Sequence, residues 1–154
     1  MKTKKGDNSL RTEVLNEMNL KLPSLSVNEG MARAAVAAFC AQTDPSAVEL
    51  ADIKCAVSEA VTNCIVHGYR DTVGIIYITV KLCREGIVRI DIRDRGCGLA
   101  DVSLARQPLY TTDAENERSG MGFTVMENFC DKVRVRSVCG KGTTVTLFKR
   151  LAGK

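Results

Sequence analysis

The sequence has no tryptophan, and aromatic residues make up only 5% of its 154 positions. A surface that binds nucleic acid by stacking bases depends on aromatic side chains, so the composition argues against one. The positive excess is small, 22 Lys and Arg against 18 Asp and Glu, and the two signs are interspersed along the chain. We therefore expect no direct nucleic-acid partner. No apolar run approaches the roughly eighteen residues of a membrane span, so no membrane attachment is expected.

Paired cysteine motifs are also missing. The seven cysteines are odd in number, and no two have the two-residue spacing of a zinc knuckle or a redox dithiol. Only one histidine, His67, is present to help bind a metal. The N-terminal lysines Lys2, Lys4 and Lys5 are not followed by an apolar run, which is unlike a secretory signal. These features predict reduced thiols acting as small core residues in a cytoplasmic protein.

Two amphipathic helices are predicted from apolar residues at helical spacing. Ser26 and Glu29 have the capping-box pattern, in which the hydroxyl accepts from the Glu N–H and the carboxylate reaches back. Ser46 and Glu49 repeat that pattern before a second helix that continues to about Gly68. The predicted apolar stripes are Val27, Met31, Ala34, Ala35, Ala38 and Phe39 on the first helix, and Leu50, Ile53, Val57, Ala60, Val61, Cys64 and Ile65 on the second.

The pattern then changes to alternation of apolar and polar residues. Residues 76–82 and 88–92 alternate around Arg84-Glu85-Gly86, which predicts an antiparallel hairpin with one buried face. Residues 18–22 predict a further short strand, and residues 133–149 a second hairpin around a glycine turn. The predicted fold class is α+β, a two-layer sandwich of helices on a mostly antiparallel sheet.

The domain organisation is simple. Residues 1–13 are polar and predict a loose tail, and residues 14–154 predict one domain. Residues 96–120 lack periodicity, and a loop of that length inside a compact domain is usually functional. A short helix is predicted after it, from about Met121 to Cys130.

Glu59, Asn63 and His67 follow at intervals of four on the second helix, so they lie one above another. Glu59 and Asn63 are well away from the centre of the apolar stripe. Their oxygens suit a hard cation such as Mg²⁺, and a carboxylate beside the cation can deprotonate a hydroxyl. The alternative is an ordinary solvated helix face.

Asp94, Gly96 and Gly98 directly follow a predicted strand. Alternate glycines let the backbone approach a ligand closely, and the carboxylate can accept a hydrogen bond from an exocyclic amine such as that of adenine. An ordinary glycine turn explains the same residues.

Gly120 and Gly122 stand where the third helix is predicted to begin. Bare N–H groups at a helix N-terminus bind anions, and Arg118 is placed to add a guanidinium. The alternative is a loop or capping pair of glycines. Thr144 on the last strand is a weak signal, because alternating threonines are common on a wet sheet face.

Better-known nucleotide motifs are absent, including the phosphate-binding loop, the dinucleotide fingerprint and the catalytic triplets of ordinary protein kinases. The order of the four signals instead resembles the GHKL ATPase superfamily, with its Bergerat nucleotide fold, which includes gyrase, Hsp90, MutL and histidine kinases. Within it, about residues 14–150 resemble the small sporulation anti-sigma serine kinases. The runs that carry this resemblance are residues 25–29, 58–63, 67–69, 105–109 and 119–129.

The resemblance implies a role for each site residue. Glu59 would be the base for an attacking serine hydroxyl, and Asn63 would coordinate Mg²⁺. Asp94 would bind the adenine amine of ATP, with Gly96 and Gly98 beside the nucleotide. His67 has no implied role and is expected to be structural. The remaining implied contacts are a lid at about residues 100–119, Arg118, Gly120 and Gly122 on the phosphates, and Thr144 in the adenine pocket.

The implied protein is a homodimer that sequesters a sporulation sigma factor and uses Mg-ATP to phosphorylate a serine of its anti-anti-sigma antagonist. Arg33, expected to be exposed on the first helix, would contact both partners; the pattern alone is also that of a solvated arginine. One alternative is a stress-response anti-sigma kinase. A second is the catalytic domain of a histidine kinase, which the lack of a preceding phospho-accepting helix disfavours. A third is an ATP-binding module without transfer activity, which Glu59 disfavours.

Overall fold

The computed structural model describes residues 12–107 and 122–152. Five strands form one sheet in the order β1-β2-β3-β5-β4, and every neighbouring pair is antiparallel. The predicted hairpins are confirmed, and the first strand is longer than predicted. The strands are β1 Val14–Pro23, β2 Ile75–Cys83, β3 Ile87–Asp94, β4 Lys132–Val138 and β5 Gly142–Arg150.

The helices cover one face of this sheet, which confirms the α+β two-layer prediction. Most of the predicted lid, with Arg118 and Gly120, and nearly all of the predicted tail lie outside the described residues. No helix in the described ranges is long and apolar enough to cross a membrane. The helices are α1 Val27–Cys40, α2 Ala47–Asn63, α3 Val102–Ala105 and α4 Gly122–Phe129, with a π-helix at Cys64–Gly68 and short 3-10 turns at Ala41–Thr43 and Arg84–Gly86.

The two predicted capping boxes have different outcomes. Ser46 has extended backbone dihedrals, its Oγ accepts from the N–H of Glu49 at 3.1 Å, and its own N–H donates to Glu49 Oε1 at 2.9 Å. The box at Ser26 was wrong. Ser26 already has helical dihedrals of φ −56 and ψ −34, and the N–H of Glu29 donates to the Ser26 carbonyl instead. A capping serine needs the extended conformation to place its hydroxyl over the first turn.

The predicted buried face of α1 was also wrong. Val27 is 80% exposed and Met31 is 54% exposed. Alanines occur on nearly every side of this helix, and packing against α2 and the sheet decides which side is buried. The residues that α1 buries are Ala32, Val36, Ala37 and Cys40.

The predicted stripe of α2 is largely confirmed, and it forms the centre of the core. Ile53, Val57 and Val61 are almost fully buried, and they pack against the apolar face of the central strands. Helix α2 ends at Asn63 and the chain continues as a π-helix to Gly68 rather than as a longer α-helix. A π-turn changes the direction of the residues that follow it and often occurs at a functional site.

Candidate active site

Helix α2 places Glu59 and Asn63 one turn apart on its half-buried side. Helix α4 approaches this pair at Gly122. A Cβ on Gly122 would lie 3.2 Å from Glu59 Oε2 and 3.4 Å from Asn63 Oδ1. The absence of a side chain at Gly122 therefore lets α4 meet the two oxygens directly, and the structure brings together three residues that the sequence analysis singled out separately.

The π-helix after Asn63 brings His67 and Gly68 to the end of strand β3. A Cβ on Gly96 would lie 2.0 Å from the carbonyl oxygen of Gly68, and the N–H of Cys97 donates to that same oxygen at 2.9 Å. Gly68 and Gly96 are thus in backbone contact. This close approach joins the π-helix after α2 to the loop after β3. Gly96 does not line the cleft; it supports Asp94 through its backbone N–H.

Asp94 is the one buried carboxylate of the described residues, with 4% exposure. The N–H of Gly96 donates to Asp94 Oδ1 at 2.9 Å. Burial raises the pKa of Asp94, and hydrogen bonds from the Gly96 backbone, the Cys64 thiol and the Thr143 backbone partly offset that rise. Burial, with the nearby Asp94 charge, also raises the pKa of Cys64 well above its usual value, so the thiol stays protonated as a donor.

The loop after β3 packs against the turn between β4 and β5. Gly98 has φ +71, and a Cβ there would lie 2.3 Å from the carbonyl oxygen of Val138. Gly142 has φ +125, and its Cβ would lie 2.2 Å from the carbonyl oxygen of Asp94. Both positions combine a left-handed backbone with close contact, so only glycine fits without displacing the loop that holds Asp94.

These elements surround an open cleft. Its walls are mainly apolar. Among its polar groups, Asn63 lies beside Gly122, and Asp94 lies beside Gly68. The lining residues are Ala60, Asn63, Cys64, His67, Gly68, Ile92, Asp94, Gly98, Leu99, Ala105, Gln107, Gly122, Phe123, Thr124, Thr143 and Val145.

The predicted site residues are distributed around this cleft in different ways. Asn63, Asp94, Gly98 and Gly122 line it, whereas Glu59 lies at its edge beside Gly122. His67, predicted to be structural, also lines it.

Thr144 does not line the cleft, which contradicts its predicted position in the adenine pocket. Its strand neighbours Thr143 and Val145 line the cleft, and side chains alternate along a strand, so Thr144 projects to the other face of the sheet. Val145 and Leu147 on β5 face the core, and alternate residues of a strand share a face, so Thr143 is the threonine on the cleft side. The parts that Cys64 and Gly68 play had no signal in the sequence, because their contacts with Asp94 and Gly96 join segments far apart in the chain.

Arg33 is not among the residues that line the cleft. It lies on the side of α1 that faces α2, one to two turns before buried Val36, Ala37 and Cys40, where its own side chain stays accessible. Its Nη1 is 3.5 Å from Glu29 Oε1 and 3.4 Å from Ser58 Oγ, and its side chain is 45% exposed. The predicted exposure of Arg33 is confirmed. In the residues that the structure describes, no cluster of three or more His, Cys, Asp or Glu is arranged to hold a metal ion.

Known proteins resemble both the sequence and the fold. Residues 22–149 match the model of the histidine kinase-like ATPase domain. A protein named anti-sigma F factor from Geobacillus sp. strain WCH70 is 57% identical over 135 residues, covering 87% of this chain and 92% of that relative. The anti-sigma F factor of Priestia megaterium is 53% identical and covers 88% of this chain and 93% of that relative.

A solved structure of the RsbU and RsbW domains of Rv1364c from Mycobacterium tuberculosis has a similar fold. Its TM-score is 0.64 at 23% identity, over 88% of this chain and 32% of that one. The family match confirms an ATP-binding, kinase-like domain, and the close relatives confirm the predicted anti-sigma function. The chain therefore belongs to the histidine kinase-like ATPase domain family and, within it, to the anti-sigma F factors.

Proposed function

We propose that this anti-sigma factor binds Mg-ATP in the cleft and transfers the γ-phosphoryl group to a serine of an anti-anti-sigma protein. The observation that carries the proposal is the meeting of Glu59, Asn63 and the first residue of α4, Gly122, at one end of the cleft. Phosphoryl transfer needs positioning and charge neutralisation more than covalent chemistry from the protein. A carboxylate, an amide oxygen and a helix N-terminus side by side meet those needs.

The adenine end of the cleft is formed by Asp94. Its carboxylate is buried but lines the cleft, so an amine that enters there exchanges water for an acceptor in a low-dielectric site. The backbone of Gly98 and the apolar side chains of Leu99 and Val145 lie on the same walls and would pack against a base. A carboxylate that accepts from an exocyclic amine favours adenine over a base that presents a carbonyl at that position.

The phosphate end is formed by Asn63 and the start of α4. Backbone N–H groups at a helix N-terminus attract phosphate oxygens, and Gly122 leaves room for them. Arg118 and Gly120, which lie outside the described residues, belong to the same proposed phosphate contact. Gln107, within the predicted lid, lines the cleft and adds an amide to it.

The residues at this end fit Mg²⁺. Asn63 Oδ1 is a hard oxygen donor beside the proposed phosphate site, and Mg²⁺ typically takes few protein ligands and completes its shell with water and phosphate oxygens. When bound, the ion would supply charge neutralisation between the phosphates. Glu59, one turn from Asn63, orients the serine hydroxyl and accepts its proton.

Arg33 is proposed as the contact for both the sigma factor and the anti-anti-sigma protein. It is exposed and lightly held by Glu29 and Ser58, so its guanidinium is available for pairing with a partner carboxylate. A shared contact makes the two partners compete, which lets an unphosphorylated antagonist displace the sigma factor.

A homodimer is part of the same proposal. Strand β1 is an edge strand, and Leu15 on it and Val27 and Met31 on α1 are exposed. An edge strand and exposed apolar side chains are features that a second copy can cover.

A transfer assay tests the kinase proposal against the alternative of an ATP-binding module. The chain, radiolabelled ATP, Mg²⁺ and a candidate anti-anti-sigma protein should give a labelled partner whose phosphate resists acid and is lost in alkali, as expected of phosphoserine. Label that stays on this chain and is acid-labile supports histidine kinase chemistry. ATP binding without labelled protein supports the module. The relatives named anti-sigma F factor favour a sporulation sigma factor over a stress-response one.

A further inference from the structure

The sheet face opposite the helices, here called the open face, carries side chains in three rows that cross all five strands. Each row contains one residue from each strand, and neighbours in a row are directly opposed in the strand pairing. The rows are Lys21, Tyr77, Arg93, Thr144 and Arg136; then Asn19, Thr79, Asp91, Thr146 and Arg134; then Glu17, Lys81, Arg89, Phe148 and Lys132.

The open face concentrates the positive charge of the chain. Seven of its residues are Lys or Arg and two are Asp or Glu, whereas the whole chain has a net charge of only +4. The rest of the protein is therefore close to neutral. Along the sequence the two signs are interspersed, but alternation in the strands sorts the apolar residues to the helix side and the cations to the open face.

The two aromatic rings of the open face are covered by cations. Arg89, Lys132 and Arg134 lie 5.6, 5.7 and 5.6 Å from the ring centre of Phe148, which is 5% exposed. Arg95, just beyond β3, lies 4.7 Å from the ring centre of Tyr77. Rings covered in this way do not stack on nucleic-acid bases. The same contacts restrict the cations, which lowers the entropy lost when they pair with a partner.

The carboxylates of the open face also disfavour a phosphate backbone. Asp91 accepts a hydrogen bond from Thr146 and lies 3.3 Å from Arg89, and Glu17 lies 3.7 Å from Lys81. A uniformly anionic polyphosphate has no cationic group that complements these two positions. A protein surface of mixed but mainly acidic charge can match them position by position.

Arg93 and Arg136 are the residues of the open face best placed to contact a partner. Both are exposed, and they flank Thr144 from the two strands beside β5. Since neighbouring strands are about 4.8 Å apart, the two guanidinium groups originate roughly 10 Å from each other. Neither forms an ion pair with a described residue. Their planar donor groups suit carboxylates that project from a partner at a similar spacing.

We propose that the open face docks a carboxylate-rich surface of a partner protein. This contact area is separate from the nucleotide cleft and from Arg33 on α1, because the sheet and its apolar core lie between them. Docking through this face steers association electrostatically, so its rate falls as salt rises.

Fluorescence anisotropy with the full chain and two labelled probes tests the proposal. One probe is poly-L-glutamate of about twenty residues, and the other is an oligothymidylate of similar length and charge. Poly-L-glutamate should bind more tightly than the oligonucleotide. Arg136→Glu and Arg93→Glu should each weaken poly-L-glutamate binding at least about fivefold. Lys54→Glu, an equal charge change on the exposed side of α2, should weaken it less than about twofold.

Three results overturn the proposal. Equal loss in Lys54→Glu indicates non-specific attraction to net charge. Tighter binding of the oligonucleotide, weakened by the same two substitutions, indicates a nucleic-acid surface instead. If neither arginine variant binds poly-L-glutamate more weakly than the wild type, the probe binds outside the open face. Thermal unfolding checks that the variants are folded, and Arg93→Gln with Arg136→Gln provides the milder pair if a charge reversal unfolds the sheet. ATP binding is measured alongside, since it should be unchanged whether or not the open face binds a partner.

Discussion

Gly68 and Asp94 are in direct contact, so that a Cβ on Gly68 would lie 2.8 Å from both Cγ and Oδ2 of the carboxyl group. Gly68 ends the π-helix and Asp94 ends strand β3. The glycine therefore forms a wall against which the buried carboxylate is positioned. The π-helix that follows α2 thus brings Gly68 against the Asp94 carboxyl group, which lines the cleft.

Gly68→Ala should displace the Asp94 carboxyl group. We expect ATP affinity to fall at least about tenfold, equivalent to roughly 1.4 kcal/mol, by isothermal titration calorimetry. Overpacking should also lower the free energy of unfolding by about 1–3 kcal/mol. Gly30→Ala is the matched control, because the nearest atom to its Cβ is Arg33 Nη2 at 4.0 Å and the helix should gain stability. Wild-type ATP affinity in Gly68→Ala would show that the carboxyl group does not depend on this contact.

Glu59→Gln should abolish phosphoryl transfer and leave ATP binding near the wild-type value. The amide keeps the shape of the side chain beside Asn63 and Gly122 but cannot accept the serine proton. Loss of a general base typically costs about 10²–10⁴-fold in rate. Single-turnover transfer to the anti-anti-sigma protein measures it, with Glu17→Gln on β1 as a control that should transfer normally. A wild-type rate in Glu59→Gln rejects the base assignment.

Asp94→Asn should weaken ATP binding at least about tenfold, because the new amide can present a donor to the amine of adenine. Titration calorimetry measures the affinity, and thermal unfolding establishes that the variant is folded. The variant should also discriminate less between ATP and a nucleotide with a carbonyl in place of the amine. Unchanged ATP affinity in a folded variant would show that Asp94 does not bind adenine and has only a structural role in the turn.

The raised pKa of Asp94 also predicts a pH dependence of stability. Burial, its main cause, makes the folded state hold this proton more tightly than the unfolded chain does. The contribution of Asp94 to the free energy of unfolding should therefore decrease as pH rises from the ordinary aspartate pKa of about 3.9 through the raised value. Urea unfolding across this window should show that decrease in the wild type relative to Asp94→Asn. Parallel curves for the two proteins would contradict it.

Arg33→Glu should weaken binding of both the sigma factor and the anti-anti-sigma protein by about 2 kcal/mol or more. ATP affinity and the thermal midpoint should hardly change, because Arg33 is exposed and its contacts with Glu29 and Ser58 are long. All three quantities are measured on one preparation, with Lys54→Glu as the charge-matched control. If both partners bind the variant as tightly as the wild type, Arg33 is a solvated side chain.

Local patterns in the sequence predicted the elements whose residues differ clearly in polarity. The alternation in β2 and β3 and the stripe of α2 predicted the buried faces correctly. The stripe predicted for α1 was wrong, because packing against α2 and the sheet buries the other side of that helix, at Ala32, Val36, Ala37 and Cys40. The same limit applies to Ser26, where the geometry of the incoming chain, rather than the residue type, decides whether the hydroxyl can cap the helix.

The residue types of the site were determined by the sequence itself: Glu59 and Asn63 one turn apart, Asp94 at a strand end, and glycine at 98 and 122. Their meeting around one cleft was decided only by the tertiary structure, as were the contact of Gly68 with Asp94, the choice of Thr143 over Thr144, and the collection of cations on the open face. The physical reason is distance along the chain. Helical and strand periodicity are local properties, whereas the register between strands and the packing of α4 on α2 depend on residues far apart in sequence.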